Sequence, residues 1–306
     1  MNIFDFYNGH TKVYGIIGNP IEHSFSPVLQ NTILQKMEFN GVYVPFRVDE
    51  KDIKKAVEGL YALGFEGINV TVPHKISVMD CLCAIDDTAQ KVGAVNTLKR
   101  TENGFKGYNT DILGLKKSFA INKIDVKGKK TMLLGAGGAA NSAAVLLSQL
   151  GAEKIVFVNR TKEKAEALRN HISSFYTGKT DVISFDDIYT YEKPEIVVNA
   201  TSVGMGEGVW ESPVKDSSFF EGVEAVFDVI YIPWETKLLN DAKKYGCKCV
   251  NGFDMLIYQG IASYEIWHDT YMDDNTAVEI KDALSEYFLK GDKKGGKKAV
   301  KRNEIK

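Results

Sequence analysis

The segment Leu134-Gly135-Ala136-Gly137-Gly138-Ala139-Ala140 follows Thr131-Met132-Leu133-Leu134, patterned as a buried strand. It opens Ala139-Ala140-Asn141-Ser142-Ala143-Ala144-Val145, patterned as a helix. Few short segments restrict a fold as tightly. Gly135 permits a tight turn, and Gly137 lets the backbone approach a pyrophosphate at the helix N-terminus. Ala140 lets the helix lie close on the strand. The glycine pattern alone is weak, but the strand-turn-helix context makes it a dinucleotide-binding turn.

The end of the next strand bears on which dinucleotide. Enzymes that use NAD usually place Asp or Glu there, to accept from the ribose 2′-OH. This chain has Asn159-Arg160-Thr161, with Lys164 one turn further on. A 2′-phosphate would meet two cations and no repelling carboxylate, so the pattern favours NADP(H). The plainer alternative is that Arg160 and Lys164 are solvated and Thr161 caps the following helix.

Strands and amphipathic helices alternate along the chain. Strands are expected at 13–18, 42–48 and 67–72, with helices at 26–37 and 51–63 between them; in the latter, Ile53, Val57 and Leu60 share a face. A hairpin is expected from 95–99 and 104–108, turning at Glu102-Asn103-Gly104. A second series follows, with strands at 130–134, 154–158, 196–199, 225–231 and 248–251 and a helix over 138–150. Helices at 255–266 and 276–289 close the chain. Two such series predict an α/β fold of two domains, each a parallel-dominated sheet with helices on its faces.

The totals fit. The 306 residues suffice for two domains, and 44% apolar with 25% charged residues is ordinary globular composition. A net charge of −2 gives no electrostatic case for nucleic acid or an anionic membrane. Residues 291–306 carry seven Lys/Arg against Asp292 and Glu304, and read as a basic, disordered tail. No stretch resembles a secretory signal or a membrane span. Cys81, Cys83, Cys247 and Cys249 lack zinc spacing, so no metal is expected and a reducing cytoplasm is the natural compartment.

Lys75 closes Asn69-Val70-Thr71-Val72-Pro73-His74-Lys75, and Asp111 closes Gly107-Tyr108-Asn109-Thr110-Asp111. A lysine beside a carboxylate moves a proton at a carbinol or carbonyl, which with a dinucleotide suggests hydride transfer at a secondary alcohol. The loop Glu22-His23-Ser24-Phe25-Ser26-Pro27 presents two hydroxyls at a helix start, suited to a carboxylate. Read singly, Ser26 and Asp111 are helix N-caps, and Asn96 and Gln259 are structural amides. His23 and His74 read as structural.

Taken together, these motifs closely resemble the shikimate dehydrogenase family. The matching stretches also include Gly93-Ala94-Val95-Asn96-Thr97, Asn199-Ala200-Thr201-Ser202-Val203-Gly204-Met205 and Asn251-Gly252-Phe253-Asp254-Met255-Leu256, running on to Gln259-Gly260. The resemblance covers residues 13–268. It implies NADPH-dependent reduction of 3-dehydroshikimate to shikimate, a step toward chorismate and the aromatic amino acids, with Lys75 and Asp111 as the catalytic pair. It further implies that Ser24, Ser26 and Tyr231 bind the substrate carboxylate, and that Thr71, Asn96 and Gln259 bind the ring hydroxyls. Gly135, Ala136, Gly137, Gly138, Ala139, Asn159, Arg160, Thr161 and Lys164 would hold the cofactor. Thr201, Met205, Ile230 and Gly252 would complete its nicotinamide end.

By the same resemblance, residues 1–110 with 253–290 form the substrate domain and 111–252 a doubly wound, Rossmann-type NADP domain. The active site lies in the cleft between them. The expected partners are small molecules alone, with the protein a monomer or homodimer. One departure stands out. Gln30 occupies a position where most shikimate dehydrogenases carry His and quinate/shikimate dehydrogenases often carry Gln. A dual-specificity enzyme is therefore the near alternative, and a non-catalytic NADP-binding sensor the distant one.

Overall fold

The computed structural model describes residues 7–295. Its described residues form two six-stranded sheets with helices on their faces. The first sheet contains β1 (Lys12–Gly18), β2 (Gly41–Arg47), β3 (Gly67–Val70), β4 (Ala84–Ile85), β5 (Thr97–Thr101) and β6 (Gly104–Tyr108), in the order β2-β1-β3-β5-β6-β4. The pairs β1–β2, β1–β3 and β4–β6 are parallel. The hairpin β5–β6 makes the β3–β5 and β5–β6 pairs antiparallel, so this sheet is mixed.

The second sheet contains β7 (Lys130–Leu134), β8 (Lys154–Val158), β9 (Lys179–Ile183), β10 (Ile196–Asn199), β11 (Ala225–Asp228) and β12 (Lys248–Val250). It is parallel throughout, in the order β12-β11-β10-β7-β8-β9, with the reversal between β7 and β10 that defines a doubly wound fold. Its strands other than β9 and β12 are near-continuous apolar runs because both faces are covered. Leu133, Phe157, Val198 and Phe227 enter one core; their neighbours Met132, Val156, Val197 and Val226 enter the other.

The helices are α1 (Ser26–Lys36), α2 (Ile53–Ala62), α3 (Asp87–Val92), α4 (Asp111–Ile121), α5 (Gly138–Gln149), α6 (Lys162–Ser173), α7 (Lys237–Lys243), α8 (Phe253–His268) and α9 (Asp274–Gly295). On α2 the predicted face of Ile53, Val57 and Leu60 is the buried one. α8 and α9 return to the first sheet, where Phe253, Ile257, Ile261 and Trp267 pack with Tyr14, Ile16 and Leu29.

Three sequence expectations need correction. The expected tail from residue 291 is helical as far as Gly295, because backbone hydrogen bonding continues a helix after its apolar face ends; residues 296–306 lie outside the described residues. Strand β3 stops at Val70 and β11 at Asp228, each short of the expected end, because the chain turns there into the cleft. Ser26, Asp111 and Thr161 make no capping bond. Phe25 and Thr110 hold the cap positions of α1 and α4, and Thr161 holds that of α6 without a side-chain bond.

Candidate active site

Several side chains singled out in the sequence leave the carboxyl ends of strands, where open α/β sheets bind ligands, whereas Asn96 precedes β5 and Gln259 lies on α8. Past β3 the chain runs through Thr71 to Lys75, and past β6 through Asn109 to Asp111. Lys75 Nζ donates to Asp111 Oδ2 at 2.6 Å, and the two side chains are 16% and 8% exposed. The second carboxylate oxygen accepts from Asn96 Nδ2 at 2.9 Å. Both oxygens of Asp111 are thus directed, and the ammonium keeps donors free for a ligand.

Behind this pair lies a buried polar network. Asn96 Nδ2 also donates to Thr110 Oγ1 at 2.9 Å, and Asn96 Oδ1 accepts from the Thr110 backbone at 2.7 Å. Thr110, Thr97 and Ser263 bring their hydroxyls within 3.2 Å of one another. Asn69 Nδ2 donates to Ser263 and to Thr97, each at 3.0 Å, and its Oδ1 accepts from Tyr43 at 2.8 Å. Burial pushes the Tyr43 hydroxyl pKa well up. A continuous chain therefore joins Tyr43 to Asp111. Tyr43 and Ser263 were not singled out in the sequence; within β2 and α8 they look like ordinary core residues.

Other residues expected to bind substrate lie on neighbouring segments of the chain. Tyr231 packs against the core cluster that contains Phe25, the residue between Ser24 and Ser26, and burial raises its hydroxyl pKa. Gln259 Oε1 lies 3.5 Å from Asn96 Nδ2. Helices α4 and α8 approach closely because residue 114 is glycine: a Cβ there would stand 2.4 Å from the Met255 carbonyl oxygen. Thr71 is half-buried beside Gly18, where a Cβ would meet its methyl at 2.4 Å. Gln30 is buried and donates to the Gly260 carbonyl at 2.9 Å, so it acts on α8. His74 is buried with Nε2 donating to the Val48 carbonyl at 2.7 Å; His23 is exposed.

On the other side, Gly135 has φ +108°, a left-handed turn that favours glycine. Gly137 precedes α5 with open space around it, so the backbone there is accessible. A Cβ on Gly138 would lie 3.0 Å from Lys75 Cδ, which puts the glycine turn directly against Lys75. Ala136 and Ala139 flank this opening, half-buried. Asn159 Nδ2 donates to the Thr161 carbonyl at 2.8 Å, closing the loop after β8. Arg160 and Lys164 are exposed, and neither forms an ion pair among the described residues. An open helix N-terminus and two uncompensated cations fit a 2′-phosphorylated dinucleotide. Thr201 Cγ2 would lie 3.3 Å from a Cβ on Gly135, Ile230 and Gly252 are buried, and Met205 is 52% exposed.

Comparison with known proteins agrees with this geometry. Residues 16–98 match a family profile described as shikimate dehydrogenase substrate binding domain, and residues 117–205 one described as shikimate / quinate 5-dehydrogenase. A shikimate dehydrogenase (NADP(+)) of Caldanaerobacter subterraneus is 42% identical over 88% of this chain and 96% of its own. The chain belongs to the shikimate dehydrogenase family. Among solved structures, a chorismate mutase/shikimate 5-dehydrogenase fusion protein from Clostridium acetobutylicum aligns with TM-score 0.84 and 34% identity over 91% of this chain and 99% of that one. A shikimate 5-dehydrogenase from Listeria monocytogenes, in complex with shikimate and NAD, aligns with TM-score 0.82 and 32% identity over 90% and 97%. Shikimate dehydrogenase membership accounts for both halves, the substrate-side network and the glycine turn. No helix among the described residues is long and apolar enough to cross a membrane.

Proposed function

We propose that this chain catalyses the reversible NADPH-dependent reduction of 3-dehydroshikimate to shikimate, with Lys75 as acid–base and Asp111 as its partner. The observation that carries the reading is the contact of Lys75 with Gly138, which sets a paired ammonium beside the dinucleotide turn. NADPH, when bound, supplies the hydride. Residues 1–110 with 253–290 serve the substrate in this reading, and 111–252 serve the cofactor. The setting is a reducing cytoplasm.

As hydride reaches the carbonyl carbon of the substrate, negative charge gathers on its oxygen. Lys75 stabilises that charge and delivers the proton from Nζ; in the oxidative direction Nζ takes it back. Asp111 holds Nζ through Oδ2 and is itself fixed by Asn96, so the donor does not have to be reoriented during the reaction. Ser24, Ser26 and Tyr231 bind the substrate carboxylate, and Thr71, Asn96 and Gln259 the ring hydroxyls. Arg160 and Lys164 bind the 2′-phosphate, which selects NADP over NAD.

The experiment is an absorbance assay at the nicotinamide band with shikimate or quinate, each with NADP or NAD. Turnover greatest with shikimate and NADP is expected. Comparable rates with quinate would move the assignment to the dual-specificity class, and dinucleotide binding without turnover of either would overturn it.

A further inference from the structure

Asp228 closes β11, is fully buried, and has no part in the reaction described above. Its Oδ1 accepts from Asn199 Nδ2 at 2.9 Å and from the Ile230 backbone N–H at 3.1 Å; its Oδ2 accepts from the Thr236 hydroxyl at 2.7 Å. Two of these donors connect onward to residues expected at the nicotinamide end, while Thr236 caps α7. Asn199 Oδ1 accepts from the Thr201 backbone and hydroxyl, at 3.1 and 2.7 Å, and Thr201 Oγ1 accepts from the Val203 N–H at 3.2 Å. The Ile230 carbonyl accepts from Gly252 N–H at 3.0 Å. Gly252 packs so tightly that a Cβ would stand 2.0 Å from the Val229 carbonyl oxygen. Thr201, Ile230 and Gly252 are therefore moored to one carboxylate.

We infer that Asp228 is a positioning residue that sets the loops after β10 and β11 so that they seat the nicotinamide half of the cofactor. The inference rests on the cofactor reading above. A purely structural junction would be served by a neutral amide, whereas a buried carboxylate without a cation is costly. Burial pushes its carboxyl up to about 6, while its three donors pull it down. The titratable groups nearby in the chain are engaged elsewhere. On and beside α7, Asp241 pairs with Lys237 and Lys244, and Glu235 with Lys243. Beside and on β12, Cys247, Cys249 and Lys248 bond to backbone carbonyls, and β10 has no titratable residue. An ionised Asp228 accepts from all three donors, and a protonated one must turn one of those bonds around. The loop geometry is thereby coupled to a single proton.

The test compares wild type with Asp228→Asn, which keeps the shape and the Oδ1 contacts but replaces Oδ2 by a donor. Binding of NADP+ and of adenosine 2′,5′-bisphosphate, which lacks the nicotinamide, is measured with kcat and the shikimate KM across pH. The expected pattern is bisphosphate affinity within about twofold, kcat about 10- to 100-fold lower, weaker NADP+ binding and little change in shikimate KM. The wild-type profile should show an acid limb near pH 6 that the variant lacks. If Asp228→Asn does not fold, Thr236→Val should give a smaller loss of the same pattern. Equal weakening of both ligands, or wild-type kinetics in the folded variant, would overturn the inference while leaving the cofactor reading intact. Failure of the wild type to bind either ligand would overturn the cofactor reading and this inference together.

Discussion

Replacing Lys75 by alanine removes the ammonium proposed to face the reacting oxygen while leaving the Ser24 and Ser26 hydroxyls in place. The expected result is a fall in kcat of about 100- to 10,000-fold with only a modest change in shikimate KM, checked by steady-state kinetics on folded protein. Arg160→Ala should lower kcat/KM about tenfold with NADP and leave the NAD reaction nearly unchanged, because only the proposed 2′-phosphate contact would be lost. Asp228 gives a pH prediction. Its folded pKa, about 6, lies above the ordinary 3.8, so the stabilisation belongs to the protonated form and is lost as pH rises from about 3.8 through about 6. Asp228→Asn should escape that loss, worth up to about 3 kcal/mol above pH 7, as read by denaturant unfolding against pH. Lys75 and Asp111 were legible because each ends a distinctive motif. Asp228 was not, because a strand-ending aspartate reads like any turn residue until its burial is seen.

Helices α4 and α8 connect the two halves of the site, since Asp111 begins one and Gln259 lies on the other. Their close approach depends on Gly114. Gly114→Ala should force them apart against the Met255 carbonyl and the Gln259 backbone, costing about 1–3 kcal/mol. It should also lower kcat by displacing Asp111 from Lys75; thermal unfolding and turnover measured together check this. Elements with strong periodicity, such as α2 and the apolar strands of the second sheet, were readable to within a few residues. Short ones were not. β4 spans two residues, α3 six and α7 seven, too few for a period to emerge. The buried polar network was hidden for a related reason. Tyr43, Asn69, Thr97 and Ser263 are brought together by β2, β3, β5 and α8, and no local pattern records a contact across four elements.

At the scale of the molecule, the two sheets present their carboxyl-end loops to one cleft, with Lys75 from the first against Gly138 from the second. Closure of the halves over the ligands would exclude water before transfer. Small-angle scattering with NADP+ and shikimate should then show a smaller radius of gyration than the free protein, and an unchanged curve would count against closure. The doubly wound half was legible from its glycine turn and alternating strands. The way the halves meet was not, because it depends on glycines at 114 and 138 whose significance lies in what faces them. The central claim is that the Lys75–Asp111 pair performs proton transfer for hydride exchange between shikimate and NADP. Single-turnover formation of NADPH from enzyme saturated with shikimate and NADP+, in wild type and Lys75→Ala, tests it most directly. A fast wild-type step and a variant step slower by orders of magnitude, with both ligands still bound, are predicted. A variant that forms NADPH at the wild-type rate would contradict it.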